Sequence, residues 1–240
     1  MISNEKKKAI LEASKEWFRD KVAKNHIKNT LKLTDPDEFN INPFLSVYLA
    51  NFLTGNSDPK SIALALALPR ALGTSITTTF GSQIQGFTNI LLDAFGSTTP
   101  GIDIEFKDHI DGHKKYCQLK SGPNTINKDD VETIAQHFTG AIHLARTNNL
   151  RLNHEDLIVG VVYGTNDELS SHYKRITSQY HFPVFAGQEL WHRITGDSDF
   201  YNDLIDAIAS VAVESNFKNE FEQVVHELAQ SDIIQKLSGD

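Results

Sequence analysis

The sequence predicts an α/β protein: a mixed β-sheet flanked by helices, with helical extensions at the N- and C-terminal ends. Three observations carry that expectation. Residues 100–122, PGIDIEFKDHIDGHKKYCQLKSG, alternate apolar and polar side chains on either side of an Asp-Gly pair, a hairpin pattern. Residues 156–164, DLIVGVVYG, form an unbroken apolar and β-branched run, as expected of a strand covered on both faces. The flanking stretches have helical periodicity, and strand, strand, helix, strand, strand with helices outside describes a mixed sheet.

Taken in order, residues 4–22 place Ile10, Leu11, Ala13, Trp17 and Phe18 on the inward face of an amphipathic helix. Residues 42–54 and 59–71 read as two more helices, separated by the loop signal TGNSDP. TSITTTFGSQIQGFTNILLDAFG predicts a helix from Thr77 to Ala94, closed by Gly96 in a C-cap role. After the hairpin and SGPNTI, residues 128–147 read as a helix. Asn127 serves as its N-cap, and Asp129, Asp130 and Glu132 complement the positive end of its dipole. NDELSSHYKRITSQYHF reads as a polar connection with an exposed basic pair, Lys174 and Arg175. FPVFAG is a short strand, and residues 187–194, 199–214 and 217–237 are helical patterns. The expected organisation is an N-terminal helical region, 1–72, packed on a core of residues 73–240 that carries the C-terminal helices, together one compact domain.

At 240 residues, with 40% hydrophobic and 22% charged side chains, the chain has the composition of an ordinary globular protein with a real core. A single cysteine, Cys117, excludes an intramolecular disulfide and fits a reducing compartment. The N-terminus lacks the apolar stretch of a signal peptide. IALALALPRAL is about half the length of a bilayer span and contains Pro69. The expected location is the cytoplasm, without a membrane partner. A net charge of −8 argues against coating nucleic acid by bulk electrostatics. It leaves room for a DNA-cleaving enzyme, which needs acids to hold metal ions and can confine its bases to one cleft.

A two-residue turn at Asp111–Gly112 would set Glu105 opposite Gln118, Ile104 opposite Leu119 and Asp103 opposite Lys120. One face then carries Ile104, Phe106, Cys117 and Leu119, with Cys117 as a small core hydrophobe. The other collects Asp103, Glu105, Gln118 and Lys120. A solvated face with two cross-strand polar pairs would produce the same letters. Two features favour a site: the second strand runs directly into SGPN ahead of a helix, and the unit has the order helix, strand, strand, helix, strand.

Those residues in that order resemble the PD-(D/E)xK nuclease superfamily, and in particular its type II restriction endonucleases. Asp103 corresponds to the family's Asp, preceded by PGI instead of by a directly adjacent Pro. Gln118-Leu119-Lys120 corresponds to the second element, and QLKSGPNTIN and LWHRITGDSDFYNDLIDAI look like restriction-endonuclease segments. The resemblance covers residues 73–208. It implies a restriction-endonuclease-like core and a Mg²⁺-dependent, sequence-specific endonuclease acting on double-stranded DNA. It also implies a symmetric homodimer and a cognate DNA methyltransferase as genetic partner.

In this chain the family's usual second acid is Gln118; Glu105 beside it could restore the carboxylate, with Asp93 as a further candidate. On this resemblance Asp103 is the principal metal ligand, Gln118 or Glu105 completes the shell, and the Leu119 carbonyl is a further ligand. Lys120 orients the attacking water and stabilises developing charge. Ser121, Asn124 and Lys128 reach phosphate near the site, aided by the helix N-terminus. The polar stretch GTSITTTFGSQIQG either meets the DNA backbone or is only a polar helix terminus. His109 and His113 at the hairpin tip are expected in solvent, and His137 and His143 on packing or surface positions of their helix. Two other readings stand beside this one. One is a DNA-repair or structure-specific nuclease on the same core; the other is a non-catalytic α/β binding module whose polar hairpin is a wet surface.

Overall fold

The computed structural model describes residues 1–149 and 151–239; the side chains of Thr74, Ser75 and Gln85, part of the expected polar helix front, lie outside the described residues. The chain begins with α1 (Asn4–Trp17), a π-helical turn (Phe18–Ala23) and α2 (Lys24–Leu31), where one continuous helix was expected over residues 4–22. There follow α3 (Pro43–Thr54), α4 (Pro59–Leu72), α5 (Thr74–Phe95), β1 (Ile104–Lys107), β2 (Lys114–Lys120), α6 (Lys128–Thr147) and β3 (Leu157–Val161). The remainder is α7 (Ser171–Tyr180), β4 (Val184–Ala186), α8 (Gln188–Thr195), α9 (Phe200–Glu214), α10 (Phe217–Ala229) and α11 (Asp232–Ser238).

Local chemistry sets many of these boundaries. α3 and α4 each open on a proline behind a side-chain cap: Asn42 accepts from the Phe44 and Leu45 amides, and Asp58 from the Ser61 amide. Asn127 caps α6 as expected, in a reciprocal box with Asp130. The polar connection expected before β4 is instead helix α7. Its apolar content is sparse, but Tyr173 and Ile176 lie three apart on one face and are fully buried. The last helical pattern breaks between α10 and α11, at Gln230–Ser231.

The described chain divides into two compact units, residues 1–14 with 84–207 and residues 15–83 with 208–240, and the division passes through α1, α5 and α9. The second unit is helical. Ala50, Ile62, Ala67, Val225, Leu228 and Ile234 form part of its core. The first unit holds a four-stranded sheet in the order β1-β2-β3-β4. β1 is antiparallel to β2, whereas β2, β3 and β4 run parallel. On one face Val131, Ile134 and Phe138 of α6 and Tyr173 and Ile176 of α7 pack with Leu157, Val159 and Val161. On the other, Leu190 of α8 and the Cys117 sulfur both close on Gly160. Trp191 stacks on Phe200 at 5.1 Å and donates its indole N–H to the Val162 carbonyl at 2.9 Å. Cys117 is fully buried there, and burial pushes its thiol pKa up. Among the described residues no helix is long and apolar enough to cross a membrane.

The hairpin corrects one expectation. Its turn is a four-residue loop, His109–Gly112, closed by the Asp108 amide donating to the His113 carbonyl at 2.8 Å. Gly112, at φ +77°, supplies the left-handed residue the loop needs. The pairs are therefore Ile104 with Cys117, Glu105 with Tyr116 and Phe106 with Lys115. Every partner sits two residues from its expected place. A slip of two leaves each side chain on its original face, whereas a slip of one would invert the sheet.

Asp108 is the physical cause of the longer turn. Its Oδ1 accepts the Ile110 amide at 2.8 Å, an Asx turn that ends the strand at Lys107, and its Oδ2 meets Arg193 Nη1 at 2.7 Å. Lys115, on the same face as Cys117, is also buried; it reaches Asp111 at 2.8 Å and the Glu155 carbonyl at 3.0 Å. Because the Asp108 side chain has no exposure, Arg193→Met would leave a buried carboxylate without its cation. That variant is expected to lose about 3 kcal/mol of unfolding free energy in urea titrations, and a loss near zero would contradict the pairing.

Candidate active site

Asp103 sits just before β1 and is held on both sides. Its amide donates to the Cys117 carbonyl at 3.0 Å, and its own carbonyl accepts from the Ser97 amide at 3.0 Å. An isolated bridge between Gly96 and Ile104 extends that second contact, so the edge of β1 is partly covered by the chain leaving α5. The Asp103 carboxylate is held as well, since Oδ2 accepts the Leu119 amide at 2.6 Å.

Continuing the observed register brings Asp103 opposite Gln118 in place of Lys120. Gln118 Nε2 lies 3.4 Å from His137 Nδ1 on α6. Its Oε1 is buried and has no hydrogen-bond partner among the described residues. The Leu119 amide points toward the β1 side, and in an extended strand its carbonyl points the same way. Lys120 lies two residues along from Gln118 on the same half-buried face, with no ion-pair partner among the described residues. Asp103, Gln118, Leu119 and Lys120 are thus gathered at one end of β2.

Glu105 shares the face but is already engaged. Oε1 accepts from the hydroxyls of Ser97 at 2.5 Å and Thr99 at 3.0 Å, and Oε2 meets Lys114 at 2.6 Å. Burial would raise its pKa, but the hydrogen bonds from Lys114, Ser97 and Thr99 outweigh that and hold it below the ordinary value. The chain Lys114–Glu105–Ser97 leads straight to the Asp103 carbonyl. Glu105 and Lys114 also line a groove of about 860 Å³ with Lys6 and Asp93, which Asp103, Gln118 and Lys120 do not reach.

The loop after β2 is braced from α7. Tyr173 donates to the Gly122 carbonyl at 2.9 Å, and the Ser170 amide donates to the Pro123 carbonyl at 3.0 Å. Asn124 and Lys128 are exposed and Ser121 is half-buried. The N-terminus of α6 is no open anion site: Asn127 Oδ1 takes the Asp129 and Asp130 amides, and Asp130 returns a carboxylate to the Asn127 amide. The end of the dipole is filled by the chain's own acids, which corrects the expected help from that terminus. Lys174 and Arg175 lie on α7, where Arg175 pairs with Glu132 at 3.6 Å. His109 and His113 are exposed, and so is His143. His137, expected on a packing or surface position, is half-buried and faces Gln118; a lone histidine on an amphipathic helix carries no local signal of what it meets.

Among the described residues no three His, Cys, Asp or Glu side chains cluster as a metal-holding group. The oxygen donors at the end of β2 are one carboxylate, one amide oxygen and one backbone carbonyl. A buried amide oxygen lacking a donor, beside an anchored carboxylate, fits a hard divalent cation that keeps several waters.

The family model described as type II restriction endonuclease EcoO109I matches residues 66–216, well over half of the chain. No curated protein matches the sequence.

A carboxylate whose folded pKa is depressed adds stability that is complete above its unfolded pKa and is lost as pH falls through the folded one. Glu105→Gln is therefore expected to cost about 1 kcal/mol at neutral pH. In urea unfolding from about pH 7 to about pH 3, its gap from wild type should close below the ordinary carboxylate range. A gap that stays constant over that span would remove Glu105 from the role of loop anchor.

Proposed function

The chain belongs to the type II restriction endonuclease EcoO109I family, and from that premise we propose a Mg²⁺-dependent, sequence-specific endonuclease that cuts both strands of DNA. The observation that carries the reading is the buried, donor-less Oε1 of Gln118 across from the anchored carboxylate of Asp103, with Lys120 on the same face. Asp103, Gln118 Oε1 and the Leu119 carbonyl would hold the cation. When bound, it supplies Lewis-acid neutralisation of phosphate charge and a water of lowered pKa.

The remaining work falls to the chain's own groups. Lys120, with three N–H donors and no acceptor, orients the attacking water and donates to the phosphoryl oxygens as charge builds on them. Leu119 fixes one Asp103 oxygen through its amide and leaves the other free for the site. Glu105 already accepts from Ser97 and Thr99 at Oε1 and meets Lys114 at Oε2, so we assign it to the loop that carries Asp103. Ser121, Asn124 and Lys128 contact phosphate through side chains, without the capped end of α6.

Two equivalent scissile bonds in a palindromic site are met by twofold-related subunits, so the enzyme works as a homodimer. The exposed apolar face of α3 supports self-association: Phe44 is 89% exposed and Phe52 78%, with Leu45 and Tyr48 beside them. A cognate DNA methyltransferase would protect host sites, and DNA carrying its methyl groups should resist cutting.

Plasmid DNA incubated with the protein and Mg²⁺ should yield discrete fragments; a smear, or cutting confined to flaps, would point to a repair or structure-specific nuclease. Lys120→Ala and Asp103→Asn should each lower the cleavage rate by at least about 100-fold while DNA binding in gel-shift assays stays within a few-fold of wild type. A Lys120→Ala protein cutting at the wild-type rate would remove this mechanism. Phe44→Glu combined with Phe52→Glu should shift the sedimenting species from dimer to monomer, and an unchanged dimer would place the interface elsewhere.

A further inference from the structure

A carboxylate offers a cation two equivalent oxygens. An amide offers one oxygen and one NH₂ group, so only one of its two flip orientations presents an acceptor. A chain with Gln118 at the second ligand position therefore needs something to select that orientation. The neighbouring structure provides it. In the tautomer that carries its proton on Nε2, His137 accepts at Nδ1 from Gln118 Nε2, 3.4 Å away, and Oε1 is left buried and without a donor.

The ring is itself confined. Gly101 packs its backbone against it: a Cβ at that position would lie 2.7 Å from His137 Cγ and 2.8 Å from His137 Cβ. Gly101 also has φ +77°, so both its conformation and its closeness to the ring call for glycine. It lies two residues before Asp103, whose carbonyl accepts from the Ser97 amide and whose amide donates to the Cys117 carbonyl. His137 thus touches both the strand bearing Gln118 and the segment bearing Asp103.

We infer that His137 is a positioning residue that sets the Gln118 amide with its oxygen toward the cation site, doing for an amide what a carboxylate at that position would not need. The inference rests on the reading of Asp103 and Gln118 as ligands. It separates from a merely structural role through Gln118→Glu, because a carboxylate has no wrong flip.

The test is Mn²⁺ binding to the full-length protein, read from the electron paramagnetic resonance signal of the free ion. In the Gln118 background, His137→Ala should weaken Mn²⁺ binding about 10-fold, and His137→Asn, whose carbonyl can still accept from Nε2, should recover much of that loss. In the Gln118→Glu background, His137→Ala should change the affinity by less than about two-fold. Equal losses in both backgrounds would overturn the positioning role while leaving the cation site standing. Absence of Mn²⁺ binding by both wild type and Gln118→Glu would instead overturn the cation site itself, and this inference with it. If His137→Ala fails to fold, His137→Phe, which keeps a ring and removes the acceptor, takes its place: it should weaken Mn²⁺ binding about 10-fold in the Gln118 background and by less than about two-fold in the Gln118→Glu background, and equal effects in the two would overturn the positioning role.

Discussion

Asp103 is placed by backbone as much as by its own chemistry. Its amide meets Cys117, its carbonyl meets Ser97, and one carboxylate oxygen takes the Leu119 amide. A short edge strand is otherwise a weak support, with half of its hydrogen-bonding groups unpaired. Here the chain leaving α5 folds back through the bridge between Gly96 and Ile104, and Glu105 ties the Ser97 and Thr99 hydroxyls under it. The anchored carboxylate depends on that clasp, and the rest of the proposed site is measured from it.

On the proposed reading, the second ligand position shows what replacing an acid by an amide would demand. Gln118 brings no negative charge, so the attraction for a cation falls to Asp103 and to correctly aimed dipoles. Aim then becomes a structural problem, and the contacts that address it come from elsewhere in the chain: His137 from α6 and Gly101 from the segment before β1. The same helix contributes little at its N-terminus, where Asn127 and Asp130 satisfy one another's backbone groups. Phosphate contact on this reading belongs to the side chains of the braced loop, whose carbonyls are held by Tyr173 and Ser170.

The hairpin turn shows how a wrong local detail can leave a right global one. Asp-Gly is a strong two-residue signal, yet Asp108 starts the turn earlier because its buried carboxylate pairs with Arg193, 85 residues away in sequence. The partners move by two and the faces survive. Period-two alternation fixes which side chains share a face under any even slip, so the grouping of Asp103, Glu105, Gln118 and Lys120 did not depend on the turn.

Local signals were legible in the sequence itself: the cap at Asn127, the β-branched run of β3, and the sidedness of the hairpin. Each depends on interactions within a few residues or on a repeat the chain carries along its length. Helix α7 escaped because Tyr173 and Ile176 are nearly its whole apolar face, and only their burial reveals its direction. The engagement of Glu105, the contact between Gln118 and His137, and the pairing of Asp108 with Arg193 were decided by tertiary structure. These are contacts between side chains distant in sequence or across strands, and they exist only once packing has removed water from between the partners.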